Sequence, residues 1–188
     1  MEEYTKEAAA IISKYTGMSL NTARKLYNET RGMAFRDQLS HAGVPGDVLE
    51  EAAREFEARK ASILARVRIY DSVRAFIEEA RRRGLRVVLS TNNECRLVSA
   101  LDELKKIFDV ILCHDPGTGV RKGRDHVRML QGMYDISMDS ILFIGDSDYD
   151  IELYSSLGVR TLKTKGLWRD HGSLLEHLEH VKICKGGR

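Results

Sequence analysis

Apolar positions recur at helical spacing through the first third of the chain and give way, near residue 70, to short unbroken apolar runs alternating with amphipathic stretches. Tyr4, Ala8, Ile11, Ile12 and Tyr15 line one face of a first predicted helix that stops at Gly17. Ser19 is placed to cap a second, which carries Leu20, Ala23, Leu26 and Tyr27 and has Gly32 just past its end. A short helix over 35–40 closes at Gly43 and Pro45, and a long one over 47–66 presents Leu49, Ala52, Phe56, Ile63 and Leu64. The pattern predicts a small helical subdomain over 1–69.

Beyond it the period changes repeatedly. Asp71 or Ser72 can cap a helix with Val73, Phe76, Ile77 and Ala80 inward, ending at Gly84. Predicted strands over 86–90, 110–113, 140–144 and 160–163 alternate with predicted helices over 94–106, 125–134 and 148–157, and a short helix is expected over 173–178. In the 94–106 helix Leu97, Val98, Leu101 and Leu104 face the core. Such alternation means parallel strands joined by right-handed crossovers, an α/β core over 70–188.

Composition then excludes several classes. The length of 188 residues fits one domain with an elaboration or two small ones. A net charge of +2, with basic clusters only at Arg81–Arg83 and around Arg121–Arg124, lacks the basic stripe of a nucleic-acid binder. Arg81–Arg83 fit the polar end of a helix. Three scattered cysteines, Cys95, Cys113 and Cys184, argue against a disulfide framework and a zinc knuckle, so a reducing cytoplasm is the expected home. No apolar run nears the roughly 20 residues of a membrane span, and no signal-like apolar region opens the chain. His177 and His180 share a helix face without a third ligand and read as surface residues.

Three segments carry candidate chemistry. In ILFIGDSDYD (Ile141–Asp150) a buried-strand pattern runs into Gly145, with Asp146 at the strand tip and Asp150 one helical turn on. Two carboxylates there suit Mg²⁺, which favours one or two carboxylates, waters and a substrate phosphate. The alternative is a helix cap and a solvated first-turn acid. In VVLSTNN (Val87–Asn93) an apolar run ends in small polar residues, where Thr91 and backbone N–H groups near Asn92 can hold a phosphate or merely cap a helix. Lys122, in the loop GVRKGRD, can reach a phosphate or offset the carboxylates, or simply be solvated.

In order and spacing these segments resemble three of the four signature motifs of the haloacid dehalogenase (HAD) superfamily: a hydroxyl residue ending a strand (Thr91), a lysine (Lys122), and GDS-x-x-D (Gly145 to Asp150). The family often follows that lysine with proline, where this chain has Gly123. The resemblance implies a Rossmann-like parallel sheet with an N-terminal helical cap, and Mg²⁺-dependent hydrolysis of a small phosphorylated metabolite. It implies that Asp146 and Asp150 serve the metal, that Thr91 and Asn92 hold phosphate oxygens, and that Lys122 neutralises charge. Arg31 and Arg36 are read as solvated helix-end residues, with contact to an anionic substrate as the alternative.

The family's first motif, an apolar strand ending in D-x-D, supplies the nucleophile and general acid. It is absent from this sequence, where D-x-D occurs only in the later segment, at Asp146 and Asp148 and again at Asp148 and Asp150. Without that carboxylate the covalent route has no nucleophile, and the missing strand would leave two apolar edges open in mid-sheet. Three accounts stand: upstream residues in the natural protein, another chain or copy covering the edge as a homo-oligomer, or a catalytically silent phospholigand- or Mg²⁺-binding protein. A HAD-type phosphomutase is a further alternative, and a helical interaction module on an inert α/β scaffold another. Neither nucleic acid nor membrane is expected as a partner.

Overall fold

The computed structural model describes residues 2–66 and 68–164, and the chain divides between residues 67 and 68 into two compact units. The short helix expected over 173–178, with His177, His180 and Cys184, lies outside the described residues.

The first unit is helical: α1 (Glu2–Thr16), α2 (Leu20–Glu29), α3 (Phe35–His41) and α4 (Gly46–Leu64). The predicted α1 face is the buried one, with Ala8, Ile11 and Ile12 packed into a core that includes Ala23, Tyr27, Leu39 and Phe56. Ser19 caps α2 as expected, its hydroxyl accepting from Thr22 N at 3.2 Å. Phe56, 1% exposed, lies 3.8 Å from the Phe35 ring centroid and edge-on to Tyr4 at 5.2 Å. Buried Lys60 pairs with Glu57 at 2.7 Å and lies 5.6 Å from the Phe56 centroid. Arg36 pairs with Glu50 at 2.5 Å, and Arg31 donates to Asn28 Oδ1 at 3.2 Å.

The second unit carries α5 (Asp71–Arg82), β1 (Val88–Glu94), α6 (Cys95–Ser99), α7 (Asp102–Ile107), β2 (Val110–His114), α8 (Arg124–Tyr134), a 3₁₀ turn (Met138–Ser140), β3 (Leu142–Gly145), α9 (Asp148–Ser156) and β4 (Arg160–Lys163). Phe76, Ile77 and Ala80 of α5 form a core with Ile107, joined by Val87 and Ile144. The cap expected from Asp71 or Ser72 is not made. The N-cap residue is Tyr70, and Asp71 instead places its charge in the first turn, against the positive end of the helix. Arg81 and Arg82 occupy the last turn. Asp109 joins this layer to β1, accepting from Val87 N at 2.7 Å and from Arg81 at 2.9 Å. Burial works to raise its carboxyl, but these two donors hold it below the usual aspartate value.

Three expectations are corrected here. The strand predicted to end at Ser90 continues to Glu94, and the single helix expected over 94–106 is two, broken at Ala100–Leu101 where Asp102 and Glu103 open a new first turn. The cysteines are not all unpaired: Cys95 and Cys113 form a disulfide with a Cα–Cα distance of 5.0 Å, although 18 residues apart. Parallel pairing of β1 with β2 brings them together, which their spacing along the chain does not show.

The strands form two parallel pairs, β1 with β2 and β3 with β4, and β1 is not hydrogen-bonded to β3. The interruption falls where the resemblance places the strand not found in this sequence. Besides the α5 core shared by Val87 and Ile144, a set of polar contacts joins the two pairs. Ser90 Oγ of β1 lies 2.6 Å from His126 Nδ1 of α8 and 2.5 Å from the Tyr154 hydroxyl of α9. His126 Nε2 lies 3.3 Å from the Cys113 carbonyl of β2. Around these bonds Tyr154 stacks on Phe143 of β3, ring centroids 3.9 Å apart and planes within 10°.

His126 is 1% exposed, and burial pushes its pKa below the ordinary 6.5; the Cys113 carbonyl and Asp125 oppose this, while Lys122 and His114 add to it. The fold therefore holds a neutral imidazole that the unfolded chain protonates below about pH 6.5. Stability contributed by this site is complete above that pH and is lost as pH falls towards the depressed folded value, at most about 1.4 kcal/mol per pH unit. Urea unfolding at pH 7.5 and 5.5 is expected to show a shallower loss in His126→Asn than in the wild type. In the helical unit, Phe56→Ala removes a ring packed on two others and is expected to cost about 3–5 kcal/mol in the same assay.

Candidate functional site

The two strand tips and the lysine loop meet in the second unit. Register fixes the first tip: Ser90 pairs with Leu112, but the next pair is Glu94 with His114, so four steps along β1 match two along β2. Thr91, Asn92 and Asn93 occupy this bulge, where backbone groups leave the ladder. Thr91 Oγ1 accepts from Asn93 N at 3.1 Å, the hydroxyl-to-backbone bond that shapes the turn. Asn92 Oδ1 accepts from Lys122 N at 3.3 Å, joining the bulge to the lysine loop.

Lys122 projects from that loop into the protein. Its side chain is 10% exposed, its ammonium lies 2.7 Å from Asp150 Oδ2, and the Phe143 ring centroid is 5.3 Å away. The following residue explains a departure from the family pattern. Gly123 has φ +103° and ψ −122°, a backbone closed to proline, and a Cβ there would come within 3.0 Å of Leu153.

The second tip is β3 running into α9. A Cβ on Gly145 would lie 2.8 Å from the Phe143 ring, so only glycine fits at the strand's end. Ser147 caps α9, accepting from Asp150 N at 3.4 Å, which turns Asp150 inward. Asp150 is 7% exposed; its Oδ2 meets Lys122, while its Oδ1 is buried with no hydrogen-bond partner among the described residues. Burial raises its pKa, Lys122 opposes the rise and the Asp146 charge adds to it, so the two carboxylates feel one another.

An oxygen donor set of two neighbouring carboxylates, one with an orphaned buried oxygen, fits a hard cation. Among the described residues no group of three or more His, Cys, Asp or Glu side chains forms a ready-made metal cage. A pair of carboxylates is within what Mg²⁺ asks of a protein, since it keeps water or phosphate in most of its sphere. Lys163 pairs with Asp148, which faces away from this chemistry as an exposed residue of the first turn.

Thus the structure links Asn92, Lys122 and Asp150 through direct contacts, with Thr91 beside the first and Asp146 beside the last. Sequence reasoning missed Ser90, His126 and Tyr154. Ser90 was legible as the residue before Thr91, and Tyr154 stands one turn beyond Asp150 on the same face of α9, while His126 lies in the first turn of the helix that follows Lys122.

The model for haloacid dehalogenase-like hydrolases matches residues 2–163. Among solved structures, a Lactobacillus plantarum protein named as a phosphoglycolate phosphatase superposes with a TM-score of 0.72 at 19% identity, covering 95% of this chain and 90% of that one. CbbY from Rhodobacter sphaeroides, in complex with phosphate, gives 0.64 at 20% identity, covering 90% and 82%. Protein tyrosine kinase A of Mycobacterium tuberculosis gives 0.59 at 15% identity, covering 85% and 76%. No curated protein matches the sequence. With the family's model spanning both units and its fold shared by these structures, the chain belongs to the haloacid dehalogenase-like hydrolases.

Proposed function

We propose that this chain serves phosphoryl transfer as the body of a Mg²⁺-dependent phosphatase for a small phosphorylated metabolite. The observation that carries the reading is the half-satisfied Asp150. A buried carboxylate with one oxygen on Lys122 and the other on nothing is expensive to keep in a structure that gains nothing further from it. A cation and an anion arriving together would settle both charges. Asp146 and Asp150 would hold Mg²⁺, which when bound neutralises phosphate oxygens and the charge that develops on them.

The protein's own groups then divide the work. Thr91 and the backbone freed by the β1 bulge donate to phosphate oxygens, and Asn92 fixes the loop that carries Lys122. The ammonium, low in exposure, holds its charge at the site without reorganisation. In this reading the helical unit takes the part of the family's cap and chooses among substrates. In this reading both carboxylates are committed to the cation and to Lys122, and the sequence contains no D-x-D outside the Asp146–Asp150 segment to supply a separate nucleophile. The residues therefore also support a second reading, a protein that binds phosphate and Mg²⁺ without turnover.

Two experiments test this. Calorimetric titration with orthophosphate in the presence of Mg²⁺ is expected to give saturable binding, weakened at least about 10-fold by Asp146→Asn and by Lys122→Met; unchanged binding in both variants defeats the proposal. Lys122→Met also leaves the Asp150 charge uncompensated, so it should destabilise the fold by about 3 kcal/mol at neutral pH. That deficit relative to the wild type should shrink on acidification, because Asp150, whose pKa is already raised, takes up a proton. The second experiment is turnover of p-nitrophenyl phosphate by these 188 residues with Mg²⁺, expected to be undetectable. Hydrolysis that disappears in Asp146→Asn would show that no further carboxylate is needed.

A further inference from the structure

The three segments of the candidate site stand on different elements, and the sheet does not connect them: Thr91 follows from β1, Asp150 from β3 and α9, Lys122 from the loop before α8, while β1 and β3 share no ladder. Something else must fix their separation to within the fraction of an ångström that phosphate recognition demands. The buried hydrogen bonds behind the site join β1 and β2 to α8, which follows the Lys122 loop, and to α9, which carries Asp150.

Its proton directions follow from the chemistry. The Cys113 carbonyl can only accept, so His126 Nε2 carries the proton, and in a neutral imidazole Nδ1 is then an acceptor. Ser90 must donate to Nδ1 at 2.6 Å, which leaves its oxygen to accept from the Tyr154 hydroxyl at 2.5 Å. The run is therefore continuous and one-way: Tyr154 to Ser90 to His126 to the Cys113 carbonyl. Its members stand beside the candidate residues along the chain: Tyr154 lies one turn beyond Asp150, His126 four residues beyond Lys122, and Ser90 immediately precedes Thr91. His126 and Tyr154 are 1% and 3% exposed, so water does not compete for these bonds.

We propose that Ser90, His126 and Tyr154 are positioning residues, a buried relay of hydrogen bonds that sets the distance between Thr91, Lys122 and Asp150 and so tunes the site for a phosphate group. The role of the three residues rests on the phosphate reading given above.

The test is titration of each variant with orthophosphate and Mg²⁺, alongside urea unfolding. Ser90→Ala and Tyr154→Phe remove single links while keeping nearly all of the packing, and each is expected to weaken phosphate binding about 10-fold. The double variant should be scarcely worse than either single one, because both cut the same run. Ser90→Thr keeps the hydroxyl and His126→Asn offers an acceptor at the Nδ1 position, so both should retain affinity within about twofold where His126→Leu does not. Affinities that stay at the wild-type value in Ser90→Ala and Tyr154→Phe, or that fall additively and only in step with unfolding midpoints, overturn the proposal. If the wild type takes up no phosphate, the functional reading fails first and the relay's role fails with it; binding by the wild type that is lost in Lys122→Met but not in the relay variants sinks the relay alone.

Discussion

The ion pair between Lys122 and Asp150 is the constraint around which the second unit is arranged. Two opposite charges at 2.7 Å, each about one-tenth exposed, give up hydration that their mutual attraction only partly returns. Every neighbouring feature serves to keep that pair where it is. Ser147 caps α9 and turns Asp150 inward, Asn92 holds the loop of Lys122 by its backbone, and Phe143 presents its ring beneath the ammonium. Glycines stand at the two points where a side chain would push these elements apart, Gly145 against Phe143 and Gly123 against Leu153.

Much of this was legible from residue order. The helical face of α1, the Ser19 cap, the inward residues of α5 and the position of the strand leading into Gly145 all follow from periodicity, because local geometry dictates them; the strand itself is only half-buried, not covered on both faces as its unbroken apolar run predicts. Thr91 and Asp146 stood out as small polar or charged groups directly after apolar runs, and Lys122 through the order of motifs it shares with the family. What sequence could not carry was register. Whether Ser90 ends a strand or opens a bulge depends on how β1 meets β2, and the Cys95–Cys113 bond depends on that same pairing. His126 and Tyr154 were invisible for a related reason: each is an ordinary inward residue of its own helix, and acquires a role only when two helices and a strand converge on Ser90.

The divided sheet gives the polar relay a mechanical meaning. In a continuous ladder, backbone bonds set strand spacing and side chains merely fill the faces. Here the link between β1 and the β3–α9 segment is made by hydroxyl and imidazole groups, whose bonds are short and directional and are shielded from water. Family members of low identity share this chain's fold, and the relay shows how a single protein can set its own spacing inside a common architecture.

The disulfide has a last consequence. It joins the residue after β1 to the interior of β2, just past the bulge that holds Thr91 to Asn93. A slip of one position between the strands would swap every side chain to the opposite face. A covalent tie at this place opposes such slippage, so the alignment that places Thr91 in the bulge is written into the chain's bonds as well as its packing.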